Sequence, residues 1–234
     1  MRHVPRFYVN CELKEDGPVV LTAAQMHHAA NVLRLKIGDT VRVFNEKSGE
    51  WHCEIYDVKK CSLGCVSLFK ERRTDEDGPI LACCLINPNR MPILLEKVTE
   101  LGVSEIIPVI SQYTQYKHFN YDKTMQTIIG ACEQSGRISV PKLANIVKLE
   151  DFLEKYPYDC KLLIADEGFS EKKSGKNTIP KEKCAFFVGP EGGFSDSERD
   201  LFNKYDFIER ISLGNNILRS ETAAIALAAM ALLT

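Results

Sequence analysis

Two glycine-bearing loops near the C-terminus contain the residues best suited to chemistry. The first loop spans residues 189–194 with the sequence GPEGGF, and the second spans residues 213–223 with the sequence LGNNILRSETA. Because glycine has no side chain, each loop can bring its backbone amides and carbonyls close to a ligand. The second loop adds a fixed positive charge, Arg219, and a carboxylate, Glu221. Together the loops predict a small-molecule site beside a cation that can neutralise negative charge developing on a reacting group.

The segments around the loops indicate how the fold positions them. Each loop follows a short apolar run that predicts a buried strand, Cys184 to Val188 before the first and Phe207 to Leu213 before the second. Each loop also precedes a helical pattern, and the pair Ser195 and Glu198 forms a capping box that opens the first helix. We therefore predict neighbouring parallel strands whose C-terminal ends share one ligand crevice.

The spacing of the glycines excludes the common nucleotide motifs. The first loop lacks the G-x-G-x-x-G spacing of a dinucleotide site and the lysine and hydroxyl of a P-loop. No G-x-S-x-G elbow of a serine hydrolase is present either. Backbone groups beside apolar Ile217 and Leu218 instead suit a flat, adenine-like ring. Glu191 and Glu221 could accept a proton, but structural roles are favoured, on loop amides for the first and on a helix dipole for the second.

Composition sets the broad class of the protein. The chain has 234 residues, of which 44% are apolar and 26% are charged, and its formal net charge of -2 argues against wholesale binding of polyanions. Nine cysteines without a C-x-x-C pair predict reduced thiols and no metal site. The N-terminus lacks the apolar core of a signal peptide, and no apolar run has membrane-spanning length. These features predict a soluble, cytoplasmic protein.

The order of elements predicts two domains. The first seventy residues contain several short strand patterns, which predict a small β-barrel. They also contain one helix, which a capping box at Thr22 and Gln25 opens. A charged stretch ending at Gly78-Pro79 separates residues 1–73 from residues 74–234. The second part alternates strand and helix as an α/β domain, and its lysine-rich residues 167–183 predict a mobile loop. The predicted elements of this part are strands Ile80–Ile86, Glu105–Ile110 and Lys161–Ala165, with helices Arg90–Leu101 and Asp122–Gln134.

The last helix, Ala223 to Leu233, carries no charged residue and is apolar on every side. Such a helix is buried all round, either in the core of the domain or against a second copy of the chain. We favour the dimer interface over the central core helix.

The two loops, with three further segments, resemble the ribosomal RNA small subunit methyltransferase E family of the SPOUT superfamily. The further segments are Glu96 to Pro108, Glu133 to Arg137, and His27-His28 with Val32 to Arg34, so the resemblance covers nearly the whole chain. The chain departs from the family pattern at Asn215-Asn216, which replace a frequent proline and arginine, at Ser220, and at Met91-Pro92. The departures beside the second loop bear on side-chain contacts, whereas a main-chain role is unaffected.

The resemblance implies a fold and an activity. The fold is a SPOUT-type α/β methyltransferase domain with a parallel sheet and a trefoil knot, residues 74–234, preceded by a PUA-like β-barrel RNA-binding domain, residues 1–73. The resemblance also implies a homodimer. The activity is transfer of a methyl group from S-adenosylmethionine to N3 of a uridine in 16S ribosomal RNA of the small ribosomal subunit. The implied cofactor residues are Gly189, Pro190, Glu191, Leu213, Gly214, Asn215, Asn216, Ile217 and Leu218. The candidate RNA contacts, each with a structural alternative, are Arg34, Arg90, Lys97 and Arg137.

The chemistry of the substrate supports this assignment of roles. N3 of uracil is protonated at neutral pH and lies on the pairing edge, so the base must be unpaired and deprotonated for methyl transfer. Negative charge then develops on the ring oxygens, where Arg219 can stabilise the transition state. The proton acceptor is either water or a carboxylate such as Glu221. Two alternatives stay open: a SPOUT enzyme acting on a ribose 2′-hydroxyl of transfer RNA, and a non-catalytic RNA-binding factor for ribosome assembly.

Overall fold

The computed structural model describes residues 4–72, 78–166, 168 and 184–233. The chain divides into two compact units, Met1–Thr74 with Ile129–Val140, and Asp75–Ile128 with Pro141–Thr234. The first unit contains the segment Ile129–Val140, which the predicted first domain, residues 1–73, did not include. The boundary between residues 73 and 74 stays a prediction. The predicted mobile loop 167–183 lies outside the described residues, apart from Gly168.

The first unit is built on a curled sheet of five strands. The strand order is β1-β3-β4-β5-β2, with β1 and β3 parallel and the other neighbours antiparallel. Alternate residues such as Val41 and Val43 point into one core, as the period of a half-buried strand requires. The strands are β1 (Arg6–Tyr8), β2 (Pro18–Val20), β3 (Thr40–Asn45), β4 (Gly49–Asp57) and β5 (Ser62–Lys70).

The helix of this unit begins as the sequence predicts. Helix α1 (Ala23–His27) follows Thr22, whose side chain accepts from the Gln25 amide while the Gln25 side chain accepts from the Thr22 amide, so the predicted capping box is confirmed. A π-helical turn, His28–Val32, continues the chain to Arg34, which has a left-handed φ of 58°.

A buried arginine, Arg6, joins the two segments of the first unit. Arg6 Nε lies 2.8 Å from Glu50 Oε1, and both side chains are almost inaccessible to water. Arg42 Nη1 approaches the same carboxylate oxygen at 3.3 Å. Arg6 also donates to the carbonyl oxygens of Glu133 and Arg137, both at 3.0 Å. Because these carbonyls belong to the segment Ile129–Val140, one guanidinium ties that segment to the sheet.

The second unit is a parallel sheet of seven strands with helices between them. The strand order is β12-β10-β11-β6-β7-β8, with β9 also pairing with β7. The strands are β6 (Ile80–Cys84), β7 (Glu105–Ile110), β8 (Lys142–Leu143), β9 (Val147–Lys148), β10 (Leu162–Ala165), β11 (Ala185–Val188) and β12 (Ile208–Ile211). The helices are α2 (Met91–Glu100), α3 (Tyr121–Ser135, which enters the first unit at Ile129), α4 (Leu149–Glu154), α5 (Asp196–Phe202) and α6 (Ser220–Leu232).

One prediction about this sheet is wrong. The strands before the two glycine loops, β11 and β12, are parallel but not neighbours, because β10 lies between them. Ala165 at the end of β10 pairs with Val188 on one side and with Ile211 on the other. The carboxyl ends of three strands therefore meet where the sequence predicted two.

Helix α6 is only partly buried within one chain, so it is not the fully buried core helix that was the alternative to a dimer interface. It packs on α2 and β11, and its buried face includes Ala224, Leu227 and Ala228. Its other face is half-buried or exposed, and the exposed fractions of Leu232, the last residue of the helix, and of Leu233 after it are 62% and 84%. In the described part of the chain, no helix is long and apolar enough to cross a membrane.

Candidate active site

A cavity of about 240 Å³ lies at the carboxyl ends of β10, β11 and β12. Its walls include the last residues of β10 and β11, Ala165 and Val188, and the two glycine loops. All nine residues predicted to bind the cofactor line this cavity, as does Arg219. The structure therefore brings the two loops together around one concave space, as expected for an open α/β sheet.

Local backbone geometry shapes both loops. Gly214 has a backbone φ of +115°, a value that residues with a Cβ rarely adopt. Glycine is therefore required there for the chain to turn after β12. The first loop ends at Ser195, where the predicted capping box is confirmed, with the Ser195 amide donating to Glu198 Oε2 at 2.9 Å. In the structure, residues 220–223 of the second loop sequence belong to α6, and the loop itself ends at Arg219, the N-cap residue, whose backbone is extended.

The second loop leaves its backbone donors available. Within the described part of the chain, the amide groups of residues 215–218 donate to no protein acceptor. Asn215, Asn216 and Ile217 are exposed, and Leu218 is half-buried. Unpaired amides that line a cavity next to apolar side chains provide the donors that hold a flat heterocycle.

Asp166 is a residue of this site that the sequence did not reveal. It follows β10 directly, lines the cavity, and is only 2% exposed. Arg199 of α5 donates to both its oxygens, from Nε to Oδ2 and from Nη2 to Oδ1, each at 3.1 Å. Arg210 of β12 approaches Oδ2 at 3.7 Å. One carboxylate thus connects the helix after the first loop, the strand before the second loop, and the strand between them.

The two predicted catalytic residues lie in different environments. Arg219 is exposed, and its guanidinium makes no hydrogen bond or ion pair with any residue that the structure describes. Glu221 is 6% exposed in the first turn of α6, and its Oε1 accepts from Arg90 Nη1 at 2.8 Å. Glu191, by contrast, is exposed and accepts from the Asn87 amide at 2.8 Å. Both glutamates therefore have structural partners, whereas Arg219 is available to a ligand.

The four candidate RNA contacts also differ in the partners that their side chains have within the protein. In the second unit, Arg90 is paired with Glu221, and Lys97 Nζ lies 2.6 Å from a carboxylate oxygen of Glu96 and 2.9 Å from one of Glu100. The hydrogen bond to Glu96 is the main reason that the pKa of Lys97 is raised. In the first unit, Arg137 donates to Ser139 Oγ at 3.1 Å, and Arg34 is exposed on the turn after α1.

The thiols near the sheet are poor nucleophiles. Burial raises the pKa of Cys83 to about 12 and that of Cys84 to about 11, so both stay protonated at neutral pH. No group of three or more metal-ligating side chains occurs among the residues described. Among the residues described, the site offers backbone hydrogen bonds, apolar walls and the unpaired guanidinium of Arg219.

Comparison with known proteins decides the family. Residues 77–232 match the family model of an RNA methyltransferase domain, and residues 21–63 match that of an RNA methyltransferase PUA domain. The ribosomal RNA small subunit methyltransferase E of Rickettsia conorii is 33% identical over 226 residues, which cover 94% of this chain and 91% of that protein. The chain belongs to the ribosomal RNA small subunit methyltransferase E family. The resemblance predicted from the sequence is confirmed.

Solved structures agree with this family. A Legionella pneumophila protein described as a methyltransferase, with the cofactor SAM bound, has a TM-score of 0.85 and 30% identity, covering 98% of this chain and 97% of that one. The ribosomal RNA small subunit methyltransferase E of Neisseria gonorrhoeae, bound to S-adenosyl methionine, has a TM-score of 0.81 and 29% identity, covering 97% and 96%. This member of the methyltransferase E family therefore has the predicted SPOUT-type α/β domain with a parallel sheet, after a PUA-like domain with a curled sheet.

Proposed function

We propose that this protein transfers a methyl group from S-adenosylmethionine to N3 of a uridine in 16S ribosomal RNA of the small ribosomal subunit. The observation that supports this proposal most strongly is a single cavity, lined by both glycine loops, that contains Arg219, which is exposed and has no partner among the described residues. Two relatives of the same fold are solved with that cofactor bound.

The cavity suits the proposed cofactor. The amides of residues 215–218, which have no acceptor in the described part of the chain, can hydrogen-bond a heterocycle, while Val188, Phe194 and Leu218 supply apolar surface on the same cavity. Bound S-adenosylmethionine would supply an electrophilic methyl group, so the protein has to position the base and manage its charge and proton. Gly189, Pro190 and Leu213 to Leu218 are the residues we propose to hold the cofactor, together with Glu191, whose carboxylate fixes the first loop on the Asn87 amide.

Arg219 is the proposed catalytic residue. When N3 of uracil loses its proton, negative charge spreads onto the two ring oxygens, and a guanidinium beside them favours the transition state over the neutral ground state. The Arg219 side chain starts from the N-cap of α6 and has no protein partner in the described residues, so no ion pair must break before it acts.

Glu221 is better suited to positioning than to proton transfer. Its carboxylate is buried and already accepts a hydrogen bond from Arg90, which leaves water as the proton acceptor that the site favours. Its negative charge also lies in the first turn of α6, where it complements the helix dipole. We propose that the pair of Arg90 and Glu221 fixes the start of α6 and thereby the backbone position of Arg219.

Two further features of the family belong to this proposal. A homodimer would cover the half-buried side of α6 and the exposed Ile93 of α2, which packs against α6. Strand β11 directly precedes β12 along the chain, yet β12 lies beside β10 in the sheet. This strand order is consistent with a trefoil knot.

The proposal is tested by supplying methyl-labelled S-adenosylmethionine with three RNA substrates. These are small ribosomal subunits lacking the modification, free 16S ribosomal RNA, and transfer RNA. We expect label in one of the ribosomal substrates and none in transfer RNA, and calorimetry should detect cofactor binding. Label in transfer RNA would overturn the substrate assignment. A protein that binds RNA but neither binds nor uses the cofactor would be a ribosome-assembly factor instead.

A further inference from the structure

A segment of mixed aromatic and basic character follows β7 in the second unit. Residues 111–121, here called the aromatic segment, read SQYTQYKHFNY and contain four aromatic residues, one lysine and one histidine, with no acidic residue. All strands of this sheet run parallel, so the carboxyl end of β7 lies at the same edge as the cavity between the glycine loops. The segment therefore begins on the edge of the sheet where the proposed chemistry occurs.

Buried polar groups fix the start of the aromatic segment. The Gln112 amide donates to Glu198 Oε1 at 2.7 Å, and the Ser111 amide donates to Thr114 Oγ1 at 2.9 Å. Glu198 is 5% exposed and Thr114 is 4% exposed, so water does not compete for these hydrogen bonds. The turn that carries Tyr113 is consequently held in one conformation.

Tyr113 lies against the first glycine loop without being covered by it. A Cβ added to Gly192 would come within 3.0 Å of the Tyr113 Cβ, which shows how closely the two backbones approach. Tyr113 is nevertheless 45% exposed, and its hydroxyl has no hydrogen-bond partner in the described ranges. A rigid backbone thus presents an aromatic ring to solvent directly beside the loop that borders the cavity.

The basic residues of the segment are exposed as well. Lys117 and His118 are exposed and form no ion pair with residues of known position. Aromatic rings that stack on bases, together with cations that contact phosphates, are the means by which proteins bind single-stranded nucleic acid. The absence of any carboxylate from residues 111–121 suits a polyanionic partner and disfavours a basic one.

We propose that the aromatic segment is a binding surface for single-stranded RNA, on which Tyr113 stacks against a base and Lys117 contacts a phosphate. This inference rests on the proposed function, since the RNA is the strand that contains the target uridine. The surface would hold nucleotides next to the target, because Tyr113 borders the outside of the first glycine loop and does not line the cavity itself.

The stacking role is tested with variants at Tyr113 that separate the aromatic face from the hydroxyl and from simple bulk. Tyr113→Phe keeps the ring and should bind a single-stranded ribosomal oligonucleotide as the wild type does. Tyr113→Leu keeps apolar bulk against Gly192 but loses the ring, and its RNA dissociation constant should rise about tenfold, the order of one lost base stack. Its dissociation constant for S-adenosylmethionine should not change, which checks that the glycine loop is intact.

A matched control is Tyr56→Leu, which removes a tyrosine that is 57% exposed in the first unit. We expect no change in its RNA affinity. Wild-type RNA affinity in Tyr113→Leu would overturn the proposal, and so would equal losses in Tyr113→Leu and Tyr56→Leu.

The phosphate contact has its own measurement. The affinity for RNA falls as salt rises, and Lys117→Gln should make the slope of log affinity against log salt concentration less negative by about 0.7, because one fewer phosphate contact releases counterions from a single strand. An unchanged slope would refute the contact of Lys117 with phosphate.

Because these readouts are binding constants, they separate this inference from the proposed function. If the wild type binds RNA through Tyr113 but makes no 3-methyluridine, the proposed function fails alone. If 3-methyluridine forms at the same rate and with the same RNA affinity in Tyr113→Leu, the inference about the surface fails alone.

Discussion

Replacing Asp166 by asparagine should weaken cofactor binding without touching a residue proposed to contact RNA. The carboxylate is 1% exposed as a side chain and accepts two hydrogen bonds from Arg199 at 3.1 Å. Removal of one member of a buried ion pair costs about 3–5 kcal/mol when the remaining charge has no access to water. Here the side chains of Arg199 and Arg210 are 28% and 23% exposed, so water can hydrate part of the remaining charge. We therefore expect a loss of about 2 kcal/mol in the free energy of unfolding, near the value for hydrogen bonds to charged groups.

The same substitution should change the cavity. Asp166 connects α5, which follows the first glycine loop, with β12, which precedes the second, so its loss lets the two walls of the cavity move apart. We expect the dissociation constant for S-adenosylmethionine, measured by calorimetry, to rise at least about tenfold, which corresponds to about 1.4 kcal/mol. The melting temperature should fall by about 4–8 °C for a protein of this size.

Glu50→Gln provides a matched comparison, because Glu50 is also a buried carboxylate between two arginines, Arg6 and Arg42, but belongs to the first unit. It should lower the melting temperature at least as much as Asp166→Asn does, with no effect on cofactor affinity. The reasoning about Asp166 would be refuted if Asp166→Asn lost stability yet bound the cofactor as tightly as the wild type.

Three further predictions follow from single residues. Arg219→Ala should lower kcat about 10²–10³-fold, as for loss of one group that stabilises developing charge, with cofactor affinity retained; rapid-quench kinetics giving a wild-type rate would contradict this role. Gly214→Ala should cost about 1–2 kcal/mol of stability, seen in denaturant titrations, because φ is +115° and no heavy atom lies within 4 Å of the added Cβ, so strain acts without a clash. Burial, as the largest cause, raises the pKa of Glu133 above 4.5 in the folded protein. The folded state then binds this proton more tightly than the unfolded state does. The wild type should therefore lose stability relative to Glu133→Gln as the pH rises from 4.5 through the pKa of the folded state. A difference in unfolding free energy that does not depend on pH would exclude this role of Glu133.

Local features of the fold were predictable from the sequence. Both capping boxes, Thr22 with Gln25 and Ser195 with Glu198, depend on residues three positions apart, and both are present. Strand β7 has the predicted bounds, Glu105–Ile110, because its apolar run is continuous, as a strand buried on both faces requires.

Long-range features were not predictable in the same way. The position of β10 between β11 and β12 depends on packing between distant segments, and no local pattern encodes it. The short elements β8, β9 and α4 contain too few residues for a periodic signal.

The same difference between local and long-range features applies to the residues of the site. The nine residues predicted to bind the cofactor all line one cavity, although their contacts with a cofactor stay a prediction. Asp166 was missed because a single acid after an apolar strand resembles an ordinary strand end. Its partners, Arg199 and Arg210, are far along the chain and become visible only once the sheet is assembled. A buried polar group at the carboxyl edge of a parallel sheet therefore marks a site residue that becomes recognisable only in the structure.

The position of the methyl group on the product nucleoside tests the central claim most directly. Small ribosomal subunits lacking the modification would be treated with the protein and labelled S-adenosylmethionine, and their RNA digested to nucleosides for separation and mass analysis against standards. We predict 3-methyluridine as the labelled product, with the label strongly reduced by Arg219→Ala. Label on a ribose, or on a carbon atom of the uracil ring, would contradict transfer to a deprotonated N3 and the charge-stabilising role of Arg219.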